Sequence, residues 1–258
     1  MSISKHIRLI VTFLIISVST ITNTLAGSGE HHELVHWGYQ GDTGPSHWGD
    51  ISPEFSPCKE GRKRSPIDIN DTVKSEMNSI KFNYHNSSLN IINNGHTIQV
   101  NYNKSSSMTI DRKKYNLIQV HFHAPSEHKI KGKSYPMAAH LVHKSNDGQM
   151  SVVAILMEEG KENAVINAVW KNLPKETGKN CVIKGVKINI SKLLPKERSY
   201  YNYSGSLTTP PCTECVQWYI LKTPVTVSKG QVDKFTTMFG NNARPVQPIN
   251  ERIVRESF

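Results

Sequence analysis

The stretch "QVHFHAPSEH", residues 119–128, places three histidines and a glutamate within ten positions. Read as a strand, it alternates its side chains between two faces. Gln119, His121 and His123 then share one face, and Phe122 takes the other. Two imidazoles side by side on a rigid strand supply half of a tetrahedral metal site. The plainer reading is a polar strand face with two solvated histidines. A third ligand would separate these readings, and "AAHLVHK", residues 138–144, offers His140 and His143. Three positions apart on a strand, they face opposite ways, so only one can look toward His121 and His123. His140 shares its face with Ala138 and Val142, and His143 shares its face with Leu141. Periodicity does not choose between them.

Strands must position these residues, and the sequence is rich in strand patterns. "SIKFNYH", "LNIIN", "HTIQVNYN", "NLIQVHFH", "AAHLVHK", "MSVVAILM" and "VQWYILK" are short runs dominated by β-branched and aromatic residues. Asn-Gly, Asp-Gly and Ser clusters separate them. Helical patterns are few: Asn163–Leu173 and Ser228–Phe239. The arm "HWGYQGDTGPSHWGDISPEF" reads as loops held down by Trp37, Tyr39, Trp48 and Phe55. The pattern predicts an α+β chain that is mainly β. It forms a single domain with a large, mostly antiparallel central sheet and a few peripheral helices.

Lys5 and Arg8, then an apolar run from Leu9 to Val18, then Thr24-Leu25-Ala26, spell a secretory signal peptide over residues 1–26. The run is too short to span a bilayer, which needs about 20 apolar residues. No later segment is apolar enough to do so, and no transmembrane anchor is expected after cleavage. Residues 27–258 then form the mature domain, in a periplasmic or secreted setting. The formal charge of +10 is spread over scattered lysines. With no nucleic-acid-binding motif, it reads as a solvated basic surface. Export permits disulfides, and Cys58, Cys181, Cys212 and Cys215 allow three full pairings. "CTEC" lacks the βαβ context of a redox motif.

"HWGY", "GPSHW", "SPIDI", "INNGH", "QVHFHAPSEH", "AAHLVH", "YSGSLTTPPC" and "RPVQPIN" occur in this order along the mature chain. In them the sequence resembles the alpha-class carbonic anhydrases of the exported bacterial type. The resemblance implies zinc-dependent, reversible hydration of carbon dioxide to bicarbonate and a proton, by attack of a zinc-bound hydroxide. It implies Zn2+ held by His121, His123 and His140, with His143 a structural neighbour. It gives Thr208 a hydroxyl that accepts the hydroxide's proton and donates to Glu127. Gln119 would hold the free ring nitrogen of His121. Thr209 would line the substrate side, and Val142, Val152, Leu207 and Trp218 would wall an apolar pocket. His96 would shuttle the proton outward, with Tyr39, Asn94 and Gln99 holding its water path. Cys58 and Cys212 would be disulfide-bonded, leaving Cys181 and Cys215 as buried free thiols or as a second bridge.

Taken singly, these residues read more plainly. Glu127 is a surface acid, and Thr208 and Thr209 form a turn before two prolines. Trp218 is core, and His96 is an exposed turn residue. His47, His85 and His128 read as structural or surface histidines, and His31 and His32 as a disordered start. Two positions depart from the family pattern. Arg64 stands where Gln is usual, which would alter packing near Arg244. Ala138 stands where a carboxylate usually supports His140. The rival readings are a promiscuous zinc hydrolase and a binding module that has lost its chemistry. The oligomeric state is open, a homodimer included.

Overall fold

The computed structural model describes residues 35–102 and 105–258. The expected signal peptide (1–26), His31 and His32 lie outside the described residues. Strands are numbered along the chain: β1 (Asp68–Ile69), β2 (Val73–Lys74), β3 (Lys81–Asn83), β4 (Ser87–Asn93), β5 (Ile98–Asn101), β6 (Ser107–Ile110) and β7 (Lys113–His123). They continue as β8 (Lys129–Ile130), β9 (Met137–Ser145), β10 (Met150–Glu159), β11 (Asn180–Ile188), β12 (Tyr200–Ser206), β13 (Glu214–Val227) and β14 (Arg255–Glu256).

Twelve of these strands form one sheet. Its main order is β11-β4-β5-β7-β9-β10-β13-β12-β14-β2, and β3 joins through β6, which pairs with β7. Pairing is antiparallel except at β10–β13 and β14–β2, so the sheet is mixed. β1 and β8 make a separate parallel pair.

The central strands are covered on both faces. Every residue from Met137 to His143 is buried, as is every residue from Ser151 to Met157. One face carries Val120, Phe122, Leu141, Val153 and Ile155; the other carries Ala138, Val142, Val152, Ala154 and Trp218. Strands buried on both faces read as near-continuous apolar runs, and β10 shows this most plainly.

The two longer helices form where the sequence pattern places them. α3 (Ala164–Trp170) is capped by Asn163, whose side chain accepts from the Val165 and Ile166 amides. α4 (Lys229–Phe239) begins with a Ser228/Gln231 capping box. They cover the sheet behind Phe122: Trp170 meets the Phe122 ring edge-on at 5.0 Å and stacks on Phe235 at 5.6 Å. Burying a phenylalanine is worth roughly 1.5–3 kcal/mol. That burial commits His121 and His123 to the opposite face.

The N-terminal arm differs from its expectation. It contains 3-10 turns at Gly41–Thr43 and Pro53–Phe55 and two four-residue helices, α1 (Trp48–Ile51) and α2 (Pro57–Glu60). Such short turns carry no periodic sequence signal. The aromatic anchors do hold the arm. Trp48 is fully buried, and its indole N–H donates to the Gly38 and Thr43 carbonyls. Sequence reading also missed β6, β11 and β12. β12 is "YYNYSGS", whose Ser, Asn and Gly read as a turn, yet pairing along β13 makes it a strand.

Candidate metal centre

β7 and β9 are neighbours in register, with His121 opposite His140 and His123 opposite Ala138. Alternation along β7 and this register bring three imidazoles together. Ring centroids are 5.0 Å apart for His121–His123, 5.3 Å for His121–His140 and 4.6 Å for His123–His140. One nitrogen from each ring lies within 4.8 Å of the other two. The parity question is answered here. His143 faces the other side and meets the Tyr84 hydroxyl through Nε2 at 2.8 Å.

The outward nitrogens show which atoms are left for a metal. His121 Nδ1 meets Gln119 Oε1 at 2.8 Å, and His123 Nδ1 meets the Asn242 carbonyl at 2.8 Å. His121 Nε2 and His123 Nε2 therefore point inward. His140 presents Nδ1, which lies 3.7 Å from Glu127 Oε2; His123 Nε2 is 3.4 Å from the same oxygen. Among the described residues, His123 Nε2 and His140 Nδ1 are buried without hydrogen-bond partners. Burial pushes the pKa values of His121 and His140 well below the ordinary 6.5, with neighbouring imidazoles adding to the effect. Neutral rings with converging lone pairs are what a metal ion requires, so the residues fit one.

Glu127 is fully buried beside this cluster. Its Oε1 accepts the Arg244 backbone N–H at 3.0 Å. Burial raises its carboxyl pKa, while His123, the Thr208 hydroxyl and Arg244 act in the opposite direction. Thr208 sits in a closed loop, Leu207–Thr213. The Leu207 amide donates to the Thr213 carbonyl and the Cys212 amide to the Thr209 carbonyl, both at 2.9 Å. Cys58 and Cys212 are disulfide-bonded, tying this loop to the N-terminal arm. Arg244 braces the same junction, donating to the Ser65 and Cys58 carbonyls at 2.7 Å each. Arg64 donates to that Cys58 carbonyl as well, at 3.2 Å, so two guanidiniums meet on one oxygen. Burial, with Arg64 adding to it, brings the Arg244 pKa down to about 10.

A cavity of about 100 Å³ opens from the cluster. Its lining includes Tyr39, Asn94, His96, Gln99, His121 and Thr209. The His96 ring stacks on Trp37, with centroids 3.7 Å apart and planes 5° from parallel. Its pKa is lowered by partial burial and by nearby His36. Asn94 Oδ1 accepts from the His96 and Thr97 amides and so shapes the turn that presents His96.

The family model for eukaryotic-type carbonic anhydrases matches residues 43–258. The chain belongs to the carbonic anhydrase family. A carbonic anhydrase of Neisseria gonorrhoeae is 44% identical over 93% of this chain and 95% of its own length. One from Nostoc sp. is 40% identical over all of both chains. The alpha-carbonic anhydrase of Thermovibrio ammonificans, solved with the inhibitor sulfanilamide, superposes with a TM-score of 0.83. It is 46% identical and covers 86% of this chain and 99% of that one.

Against this carbonic anhydrase frame, Val142, Val152, Leu207 and Trp218 gather in one apolar cluster beside the metal strands. Val152 pairs across the sheet with both Val142 and Trp218. Gln99 lies opposite His121, and its amide donates to Asn101. Cys181 and Cys215 are free, but they are not the buried thiols expected. Cys181 is half-buried on edge strand β11, and Cys215 is exposed, with φ 68° beside the register shift between β12 and β13. Sequence reading missed Asn242, whose carbonyl sits under His123 from 119 positions away. A backbone acceptor leaves no signature in residue type. His128, read as structural or surface, is buried against His140 and Trp218.

Proposed function

We propose that this chain catalyses the reversible hydration of carbon dioxide to bicarbonate and a proton, with zinc held by His121 Nε2, His123 Nε2 and His140 Nδ1. The observation that carries the reading is the convergence of three imidazoles beside the buried Glu127 and the Thr208 hydroxyl. Zinc held there would lower the pKa of a water to about 7 and so supply a nucleophile at neutral pH, a behaviour for which carbonic anhydrases are themselves the reference case.

The protein's own groups do the orienting. The Thr208 hydroxyl donates to the Glu127 carboxylate, which leaves its oxygen free to accept the nucleophile's proton. That fixes the direction of a lone pair, a positioning effect rather than proton transfer. Arg244 holds Glu127 through its backbone amide, and the closed loop around Cys212 holds Thr208. The wall of Val142, Val152, Leu207 and Trp218 suits a small apolar substrate, and Thr209 adds a hydroxyl on that side. His96 is neutral at pH 7 and lines the cavity. It takes the departing proton through water ordered by Tyr39, Asn94, Gln99 and Thr209.

The reading extends to a periplasmic or secreted location. The Cys58–Cys212 bridge supports it. Among the described residues no helix is long and apolar enough to cross a membrane. Stopped-flow hydration on protein of known zinc content tests the activity. Zinc-loaded protein should accelerate hydration and chelator-stripped protein should not. Loaded protein no faster than the uncatalysed reaction would end the proposal.

A further inference from the structure

His140 has a second nitrogen to satisfy. With Nδ1 turned to the metal site, Nε2 carries the ring proton, and it is buried with no partner. His128 is in the same condition. Its Nε2 meets the Tyr203 hydroxyl at 2.7 Å, and its Nδ1 is buried with no partner. Both residues are only 1% exposed. The ring centroids are 6.0 Å apart, and both rings pack on Trp218 at 5.0 and 4.7 Å. Ala138 lies two residues before His140 on the same strand face and carries no acceptor.

The hydrogen bonds leading to His128 fix its tautomer. Ser65 Oγ accepts the Ser206 amide at 3.1 Å and lies 2.8 Å from the Tyr203 hydroxyl. Either oxygen can donate at this distance; with the Ser206 amide already on Ser65 Oγ, the Ser65 proton is assigned to Tyr203, and Tyr203 then gives its own proton to His128 Nε2. His128 is then protonated on Nδ1. Two buried N–H donors, one on β9 and one in the bend before β8, thus stand without a partner among the described residues. A buried donor left unmet is costly, so each calls for a partner.

We propose that His128 Nδ1–H and His140 Nε2–H share one buried water over Ala138, which makes His128 a positioning residue for the metal ligand His140. This rests on the reading of His140 as a ligand. Water fits better than an anion because both rings pack in an apolar cluster around Trp218, where a buried uncompensated charge is expensive. Buried waters take such places, bonding to polar groups that are otherwise unmet. The water links His140 through His128 and Tyr203 to Ser65, whose carbonyl is held by Arg244.

Two measurements on the mature chain test this. The first needs no metal: long-range proton–nitrogen NMR of zinc-free protein labelled at histidine should show His128 as the Nδ1–H tautomer. In Tyr203→Phe, which cannot supply the proton, that tautomer preference should be lost. His128 found as Nε2–H in the parent protein overturns the proposal. The second is zinc release to a chelator. Ala138→Glu places a carboxylate where the water sits and should slow release about 10–100-fold, the usual span for groups that support a ligand. Ala138→Gln, which offers a neutral acceptor, should give a smaller slowing. Release at an unchanged or faster rate from a folded Ala138→Glu protein overturns the proposal. If added formate or chloride alone slows zinc release from the parent protein, the occupant is an anion and the water assignment is wrong. Failure to bind one zinc per chain would instead refute the ligand set, and the tautomer result would still stand or fall separately.

Discussion

Asn242 joins three parts of the site, and replacing it with Ala should loosen all three. The side chain is fully buried. Its Oδ1 accepts the Ala124 amide at 2.8 Å, and its Nδ2 donates to the His96 and Phe122 carbonyls at 3.0 Å each. Truncation removes three hydrogen bonds, each worth about 1 kcal/mol net. The losses are unequal. The Phe122 carbonyl keeps the Thr97 hydroxyl at 2.6 Å, whereas the Ala124 amide is stranded without a replacement. The expected cost is about 3 kcal/mol, or roughly a 6–12 °C lower Tm for a domain of this size. The Asn242 carbonyl that orients His123 stays in the chain but loses its anchor. Zinc release should then quicken by about tenfold, the low end for lost support of a ligand. The assays are thermal unfolding of zinc-free protein and zinc transfer to a chromogenic chelator. A Tm within about 2 °C of the parent together with an unchanged release rate would refute this assignment.

His96→Ala should lower kcat at saturating carbon dioxide and leave kcat/KM nearly unchanged, and imidazole buffer should restore much of the loss. Equal falls in both constants without rescue would remove His96 from the proton path. Thr208→Val keeps the shape and deletes the hydroxyl; kcat/KM should fall about 100-fold with zinc content intact, and a fall of less than about threefold would count against the orienting role. His143 is buried with its pKa lowered to about 3, against 6.5 when unfolded. The unfolded chain binds the extra proton, so the stabilisation is complete above pH 6.5 and is lost as pH falls toward 3. Across that window, urea unfolding of His143→Gln should show a pH slope shallower by up to about 1.4 kcal/mol per unit, one proton's share. An unchanged slope would show that His143 is not held neutral.

The parts of the fold that follow from local pattern were legible. β7, β9 and β10 announce themselves by alternating or continuous apolar residues, and both longer helices by their helical pattern. Parity on β9 narrowed the third ligand to His140 or His143, and only the register with β7 decides between them. What stayed hidden has no residue-type signature: the Asn242 carbonyl, the Arg244 amide on Glu127, and the tautomer of His128. These depend on backbone groups and on partners more than seventy positions apart. Cys181 and Cys215 were misread as buried because cysteine is usually an interior residue, whereas a sheet edge leaves Cys181 half-buried and a register shift leaves Cys215 exposed.

The three candidate ligands come from β7 and β9, two adjacent strands within twenty residues of each other along the chain. Gln119, Glu127 and His128 adjust them from nearby, and four more groups arrive from the last quarter of the sequence: Tyr203, Thr208, Asn242 and Arg244. Part of what refines the cluster is therefore written far from the stretch that builds it. Changes late in the sequence can reset proton positions and lone-pair directions while the imidazole cluster itself is retained.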